Sequence, residues 1–182
     1  MKNEVILENP VIQTILSRRS VRNFTSQRIE PEKLDAIMKA AIHAPSGKNL
    51  QTWRFTVLRD PIKIQRLKET IIHVLKRTDG PPMYGFNSPD TVILVSNRKS
   101  NYNAYVDSAC AIENMLIAAH ALGLGGCWIN ALRTIYDEPE IRSLLTEYVI
   151  PDNHLIVGMI VLGYPSEMPK KTVKRESVIH YV

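Results

Sequence analysis

Apolar positions along the chain follow two rhythms, one of period 3.6 that marks helices and one of short continuous runs that marks buried strands. From Pro31 to about Ala44, the residues Leu34, Ile37, Met38, Ala41 and Ile42 follow the i, i+3, i+4, i+7, i+8 template. This predicts an amphipathic helix opened by Pro31 and stopped by Pro45, with PSGKN following as a loop. A shorter helix over 10–18 starts at Pro10 and carries Val11, Ile12, Ile15 and Leu16 on one face. Further helices are expected over 61–77 and 138–146. The stretch from about Ala104 to Leu122 is apolar almost all round, which predicts a central helix buried on most faces and closed by Gly123. Trp53 to Leu58, Thr91 to Ser96, GGCWIN and His154 to Gly163 read as strands, with TDGPPMYGFNSPD as a loop. No internal repeat or low-complexity segment interrupts this order.

Length and composition add that residues 1–182 form one domain with an ordinary core, since 182 residues are too few for two full domains. The N-terminus lacks the basic flank and apolar stretch of a signal peptide, so export is not expected. Leu155 to Gly163 is the longest apolar run, and it is far shorter than the roughly 20 residues a membrane-spanning helix needs. The two cysteines, Cys110 and Cys127, have no metal-ligand spacing, and a reduced cytoplasmic setting fits them best. The net charge of +5 points to an anionic ligand, and its placement says which kind. Basic residues concentrate in Arg18 to Arg22 and Lys170 to Arg175, without a helical stripe or interleaved aromatics, which suits a point anion better than a nucleic acid. The tail over 165–182 has the length and charge to wrap onto a partner subunit, a frayed terminus being the alternative.

Several mechanisms are missing from the chain. The five histidines show no paired spacing for a metal, and there is no GxSxG elbow or GxxxxGK[ST] phosphate loop. GLGGCW is partly like a dinucleotide fingerprint, but it runs from helix to strand and puts Trp128 at the third glycine position, the wrong order for a helix N-terminus to meet a pyrophosphate. What remains suits a cofactor that brings its own reactivity. Arg18, Arg19, Ser20 and Arg22 form a dense donor array for a phosphate and a polar sugar chain, or else a basic helix end that complements its dipole. Ser46, Asn49 and Gln51 can line the edge of a flat heterocycle, or simply build a turn.

Taken together, RRSVRNF, APSGKNLQTWRF, the buried helix running into ALGLGGCWIN, and VLGYP with its basic tail resemble the nitroreductase family of FMN enzymes over nearly the whole chain. The resemblance implies an α+β three-layer sandwich in which a mixed, mainly antiparallel sheet is flanked by helices, assembled as an intertwined homodimer with FMN at the interface. It implies that Arg18, Ser20 and Arg22 meet the phosphate and ribityl chain, Arg19 acts chiefly through its backbone, and Lys174 and Arg175 close on the phosphate. Pro45, Ser46, Gly47 and Asn49 would reach the flavin from the other subunit, with Gln51 near the ring or supporting that loop, and Gly125 and Gly126 would present backbone N–H groups to the flavin N5 region. The flavin would carry the chemistry with no catalytic side chain, passing hydride from NAD(P)H to a nitroaromatic, quinone or similar acceptor in ping-pong fashion. A dehalogenase, a dehydrogenase or a flavin-fragmenting enzyme on the same scaffold is the alternative, as is a binding protein for FMN or another phosphate-bearing ligand.

Some positions depart from the family pattern or fall outside it. Thr52 stands where many relatives have proline and is expected to loosen the loop. Met83 to Asn87 occupies the place of a flavin-contacting or lid segment, while Tyr84 and Phe86 wall a pocket or tuck into the core. Cys110, Cys127 and Trp128 read as packing residues, and Glu113, Asn114 and His120 as buried-helix groups that need hydrogen-bond partners.

Overall fold

The computed structural model describes residues 8–78, 86–170 and 178–182. Among these, five helices and four strands succeed one another: α1 (Pro10–Ser17), α2 (Pro31–Ile42), β1 (Trp53–Leu58), α3 (Pro61–Arg77), β2 (Thr91–Arg98), α4 (Ala104–Ala121), β3 (Gly125–Ile129), α5 (Pro139–Glu147) and β4 (His154–Gly163). Four of the helices begin on a proline, whose missing N–H and fixed φ suit the first turn. Asn9 caps α1 by accepting from the backbone N–H groups of Val11 and Ile12, and Asp60 caps α3 by accepting from Ile62. Gly123, at φ 77°, supplies the left-handed residue that turns the chain out of α4.

The strands form one sheet in the order β1-β2-β4-β3, and every pairing is antiparallel. A parallel element is added at the β3 edge by an isolated bridge from Ser20 to Gly126. Alternation along the strands sends Val92 and Leu94 to one face, where they pack with α3 and α5 through Leu67, Ile71, Ile141 and Leu145. Ile93 and Val95 point to the other face, against Ile37 of α2 and Ile112 and Met115 of α4. The result is a helix, sheet and helix sandwich with a core on each side. A bulge between Val95 and Ser96 shifts the register with β4, and at Gly158 the Trp128 indole lies against the backbone.

Element positions agree closely with the sequence expectations, with two informative differences. β2 runs to Arg98 rather than Ser96, because Asn97 and Arg98 keep pairing with Leu155 and His154 although the apolar run has ended. None of the α1 residues is buried, and Val11, Ile15 and Leu16 face outward. Among the described residues, no helix is long and apolar enough to cross a membrane.

Candidate cofactor site

Beyond α1 the chain straightens and lies along the outer edge of β3. Ser20 bridges to Gly126, and the Val21 N–H donates to the Gly126 carbonyl at 3.0 Å. This close approach depends on glycine: a Cβ on Gly125 would stand 2.6 Å from Val21 Cβ, and one on Gly126 would stand 2.9 Å from the ends of Leu116 and Leu162. Both glycines are buried by contacts within their own chain.

Three of the four donors on this strip are brought together. Burial pushes the Cys127 thiol above its usual range, while the nearby Arg22 charge, a hydrogen bond with Ser20 and the Arg18 charge oppose that shift. Arg18, Ser20 and Arg22 therefore all lie in the neighbourhood of Cys127 on β3. Arg18 Nε also lies 3.4 Å from Glu113, and the Arg22 guanidinium is exposed and donates to the Ser20 carbonyl at 3.3 Å. The Arg19 guanidinium turns away, donating to the carbonyls of Leu16 at 2.9 Å and Arg18 at 2.7 Å, where it satisfies the end of α1. Behind the strip, Ser17 Oγ lies 2.8 Å from His120 Nε2. Burial, and then the charges of Arg18 and Arg19, hold this imidazole below its ordinary pKa.

The second group is the loop after α2. Gly47–Asn49 forms one 3-10 turn, and Lys48 (φ 53°), Asn49 (φ 54°) and Gln51 (φ 48°) all adopt left-handed backbone. Such residues are strained unless their surroundings hold them. Ser46 Oγ accepts from the Gln51 N–H at 3.2 Å, and Gln51 Nε2 donates to Asn49 Oδ1 at 2.6 Å, so Gln51 supports the loop from within. The Gly47 N–H donates to Asp107 Oδ1 at 2.9 Å. Pro45 and Asn49 are exposed, Ser46 and Gly47 half-buried.

Thr52 corrects an expectation. Its hydroxyl donates to Asn97 Oδ1 at 2.6 Å and accepts from Asn101 Nδ2 at 2.8 Å, so it ties the end of the loop to the sheet instead of loosening it. A proline there could make neither bond.

The polar groups of the buried helix all find partners: Glu113 in Arg18, Asn114 by donating to the Ala40 carbonyl at 3.0 Å, and His120 in Ser17. Phe86 is 3% exposed and belongs to the core, and it also lines a cleft with Arg28, Lys68 and Asp90. Lys174, Arg175, Met83 and Tyr84 lie outside the described residues, while Asn87 donates to Asn23 Oδ1 at 2.7 Å. Asp107, Asn97 and Asn101 went unmarked in the sequence reading, although Asp107 and Ser108 are conspicuous as a buried polar pair opening an otherwise apolar helix.

A cleft of about 500 Å³ between Arg28, Lys68 and Asp90 contains none of the anticipated cofactor residues. A recess of about 260 Å³ is lined by Tyr105, Val106, Ala109, Trp128, Arg133 and Val157. The Arg133 guanidinium stacks there over the Tyr105 ring at 4.4 Å. The second cavity is smaller and is walled in part by Trp128, which follows Cys127 on β3 and packs on the opposite face of the sheet.

A nitroreductase family model matches residues 15–164, a span that contains the arginine strip, the loop and every strand. The chain belongs to this family. A nitroreductase with bound FMN from Bacteroides fragilis has the same fold, at a TM-score of 0.88 and 36% identity over 96% of this chain and 99% of that one. The FMN reductase (NADPH) of Bacillus subtilis is 27% identical over 93% of this chain and 74% of its own length. Iodotyrosine deiodinase 1 of Sus scrofa is 28% identical over 82% of this chain and 59% of its own length. Among its relatives, this nitroreductase-family chain thus counts proteins named for different reactions.

Proposed function

We propose that the chain is an FMN-dependent oxidoreductase that draws on NAD(P)H to reduce a small flat acceptor, a nitroaromatic, quinone or similar compound. The observation that carries the reading is the Arg18–Arg22 strip laid along the β3 edge by the Ser20–Gly126 bridge, with Glu113 the carboxylate paired to it among the described residues. Guanidinium forks beside a hydroxyl fit a phosphate monoester and a polyol chain. The recess with Trp128 and Tyr105 in its walls has the apolar character that a flat ring system needs.

In this reading Arg18, Ser20 and Arg22 hold the phosphate and ribityl chain, Arg19 contributes its backbone, and Lys174 and Arg175 close on the phosphate. Pro45, Ser46, Gly47 and Asn49 meet the flavin of a second subunit, with Gln51 bracing Asn49. Gly125 and Gly126 hold the β3 backbone near the ring. Bound there, FMN supplies the hydride chemistry between NAD(P)H and the acceptor. The chain's own work is to bind and orient: its arginines balance the phosphate charge, and its apolar walls keep water from the ring while leaving one face open. An open face shared by both substrates in turn accounts for ping-pong kinetics.

Homodimerisation would cover apolar surface that is exposed among the described residues. Val11, Ile15, Leu16 and Val106 are exposed, and so are Val178, Ile179 and Tyr181 near the end of the 165–182 tail, which packs on the partner. The two free cysteines accord with a reducing cytoplasm.

The test is an absorption spectrum of the purified protein, followed by reduction with NADH or NADPH. Flavin bands at about 370 and 450 nm that bleach on reduction are expected. A preparation that stays colourless after FMN is added overturns the reading. Flavin that neither nucleotide bleaches would favour a different flavin reaction, the second reading, which the similarity to the deiodinase recommends.

A further inference from the structure

The loop at Pro45–Gln51 is strained and largely exposed, yet it is held in one shape by a polar relay that no mechanism above has used. Asp107 is 4% exposed and Asn97 and Ser108 are fully buried. Asp107 Oδ1 accepts from the Gly47 N–H at 2.9 Å, and Oδ2 accepts from Asn101 Nδ2 at 3.1 Å. Asn101 Nδ2 donates also to Thr52 Oγ1 at 2.8 Å, and Thr52 passes its proton toward Asn97 Oδ1 at 2.6 Å. Asn97 Nδ2 is anchored in turn to Ser108 Oγ at 3.0 Å and the Ala104 carbonyl at 3.1 Å. The Asn103 side chain fills the space a Cβ on Gly47 would need.

We infer that Asp107 is a positioning residue for the FMN site, acting through Gly47, Asn101 and Thr52 to hold the Pro45–Gln51 loop in its ligand-ready shape. The inference rests on the reading that this loop meets the flavin. Three left-handed residues within four positions are not a shape the free loop would keep, and ordering them only when FMN arrives would subtract from affinity. The relay does that ordering in advance. Both ends of the loop are held, Gly47 by the carboxylate and Thr52 by the two asparagines, so the side chains between them are presented from fixed ends. The carboxylate is required because it must accept from two donors at once. An amide in its place would turn a second N–H toward either Gly47 N–H or Asn101 Nδ2. Asn101 cannot flip to relieve the clash, because its Oδ1 already accepts from the Asn103 N–H at 2.9 Å.

The test compares wild type with Asp107→Asn, and with Thr52→Val as a second variant that leaves the buried carboxylate in place. FMN affinity is read by flavin fluorescence titration of the apoprotein, and melting temperature is measured with and without FMN. Losing hydrogen bonds to a charged group should weaken FMN roughly ten- to a hundredfold in Asp107→Asn, with a smaller loss in Thr52→Val. The FMN-induced rise in melting temperature should shrink more than the apoprotein melting temperature falls. A purely structural role predicts the reverse: a lower apoprotein melting temperature and wild-type affinity in the folded protein. That result overturns the positioning role and leaves the flavin reading intact. Wild-type protein that takes up no FMN overturns both.

Discussion

Replacing Gly125 with alanine would place a methyl carbon 2.6, 2.7 and 2.8 Å from Cβ, Cγ1 and Cγ2 of Val21. Carbon atoms pack best about 3.5–4.0 Å apart, so the Ser20–Arg22 strip would have to retreat by roughly 1 Å. Val21 cannot swing aside, since a β-branched side chain is stiff at χ1 and the clash includes Cβ itself. Overpacking of this kind costs about 1–3 kcal/mol, and exchanging glycine for alanine in a strand recovers roughly 0.5–1 kcal/mol. The net loss, about 0–2.5 kcal/mol, corresponds to a fall in melting temperature of up to about 10 °C for a chain of this size. Gly126→Ala is the control. Its Cβ would meet the Cδ2 ends of Leu116 and Leu162 at 2.9 Å, which can shift by rotation, and the Val161 carbonyl at an ordinary 3.5 Å, so a near-neutral melting temperature is expected. Because Val21 sits between Ser20 and Arg22, Gly125→Ala should also weaken FMN, and Gly126→Ala should do so less. Thermal melts of both apoproteins, with FMN fluorescence titrations, make the comparison. Gly125→Ala protein that melts with wild type and binds FMN as tightly, or Gly126→Ala protein that is the worse of the two, refutes the packing argument.

Arg18→Ala and Arg22→Ala should each raise the FMN Kd roughly ten- to a hundredfold, the worth of a charge-assisted hydrogen bond. Arg19→Ala should chiefly lower the melting temperature, because its guanidinium serves the α1 carbonyls; equal FMN losses in all three would remove the distinction. Leu145→Ala, which empties a fully buried site between α5 and the sheet, should cost about 2–5 kcal/mol in urea denaturation, and a loss below 1 kcal/mol would contradict the observed packing. His120 and His154 are both held below the usual histidine pKa, first by burial and then by neighbouring arginines, Arg18 and Arg19 for the former and Arg54 and Arg98 for the latter. The unfolded chain therefore binds more protons than the folded one below about pH 6.5, so stability falls as the solution is acidified through that range, and His120→Gln/His154→Gln protein should show a flatter acid limb; an unchanged limb would show that other groups set it.

Three elements, β1, α3 and β4, were legible in the sequence to the residue because their signals coincide. α3 has Asp60 as cap, Pro61 at its first position and an apolar stripe of helical period, and β4 is apolar through its whole length. β2 was read short because hydrophobicity stops at Ser96 while the backbone ladder does not, and the buried Asn97 that continues it is there to serve the loop. α1 was legible as a helix, but Val11, Ile15 and Leu16 of its apolar face are exposed among the described residues, and periodicity alone cannot say what lies opposite. The cofactor donors were visible as local clusters. Their support was not, since Thr52, Asn97, Asn101 and Asp107 are brought together only by the β1–β2 pairing and the turn into α4.

Both halves of the proposed site hang from α4, and this constrains how they can be joined. The loop is fastened at Asp107, in the first turn of the helix, and the arginine strip at Glu113 and, through Ser17, at His120. A rise of 1.5 Å and a turn of 100° per residue put Asp107 and Glu113 roughly 9 Å apart along the axis and about 120° apart around it. The two anchors therefore point away from each other, and the body of the helix stands between the groups they carry. A ligand held by the strip of one chain would have to pass around α4 to reach the loop of that same chain. A second copy, as proposed above, would remove the difficulty by bringing its own loop to the strip. In the proposed dimer α4 would fix the strip for one flavin and the loop for the other with a single element, so a distortion at either end of the helix would be felt at both sites of the pair.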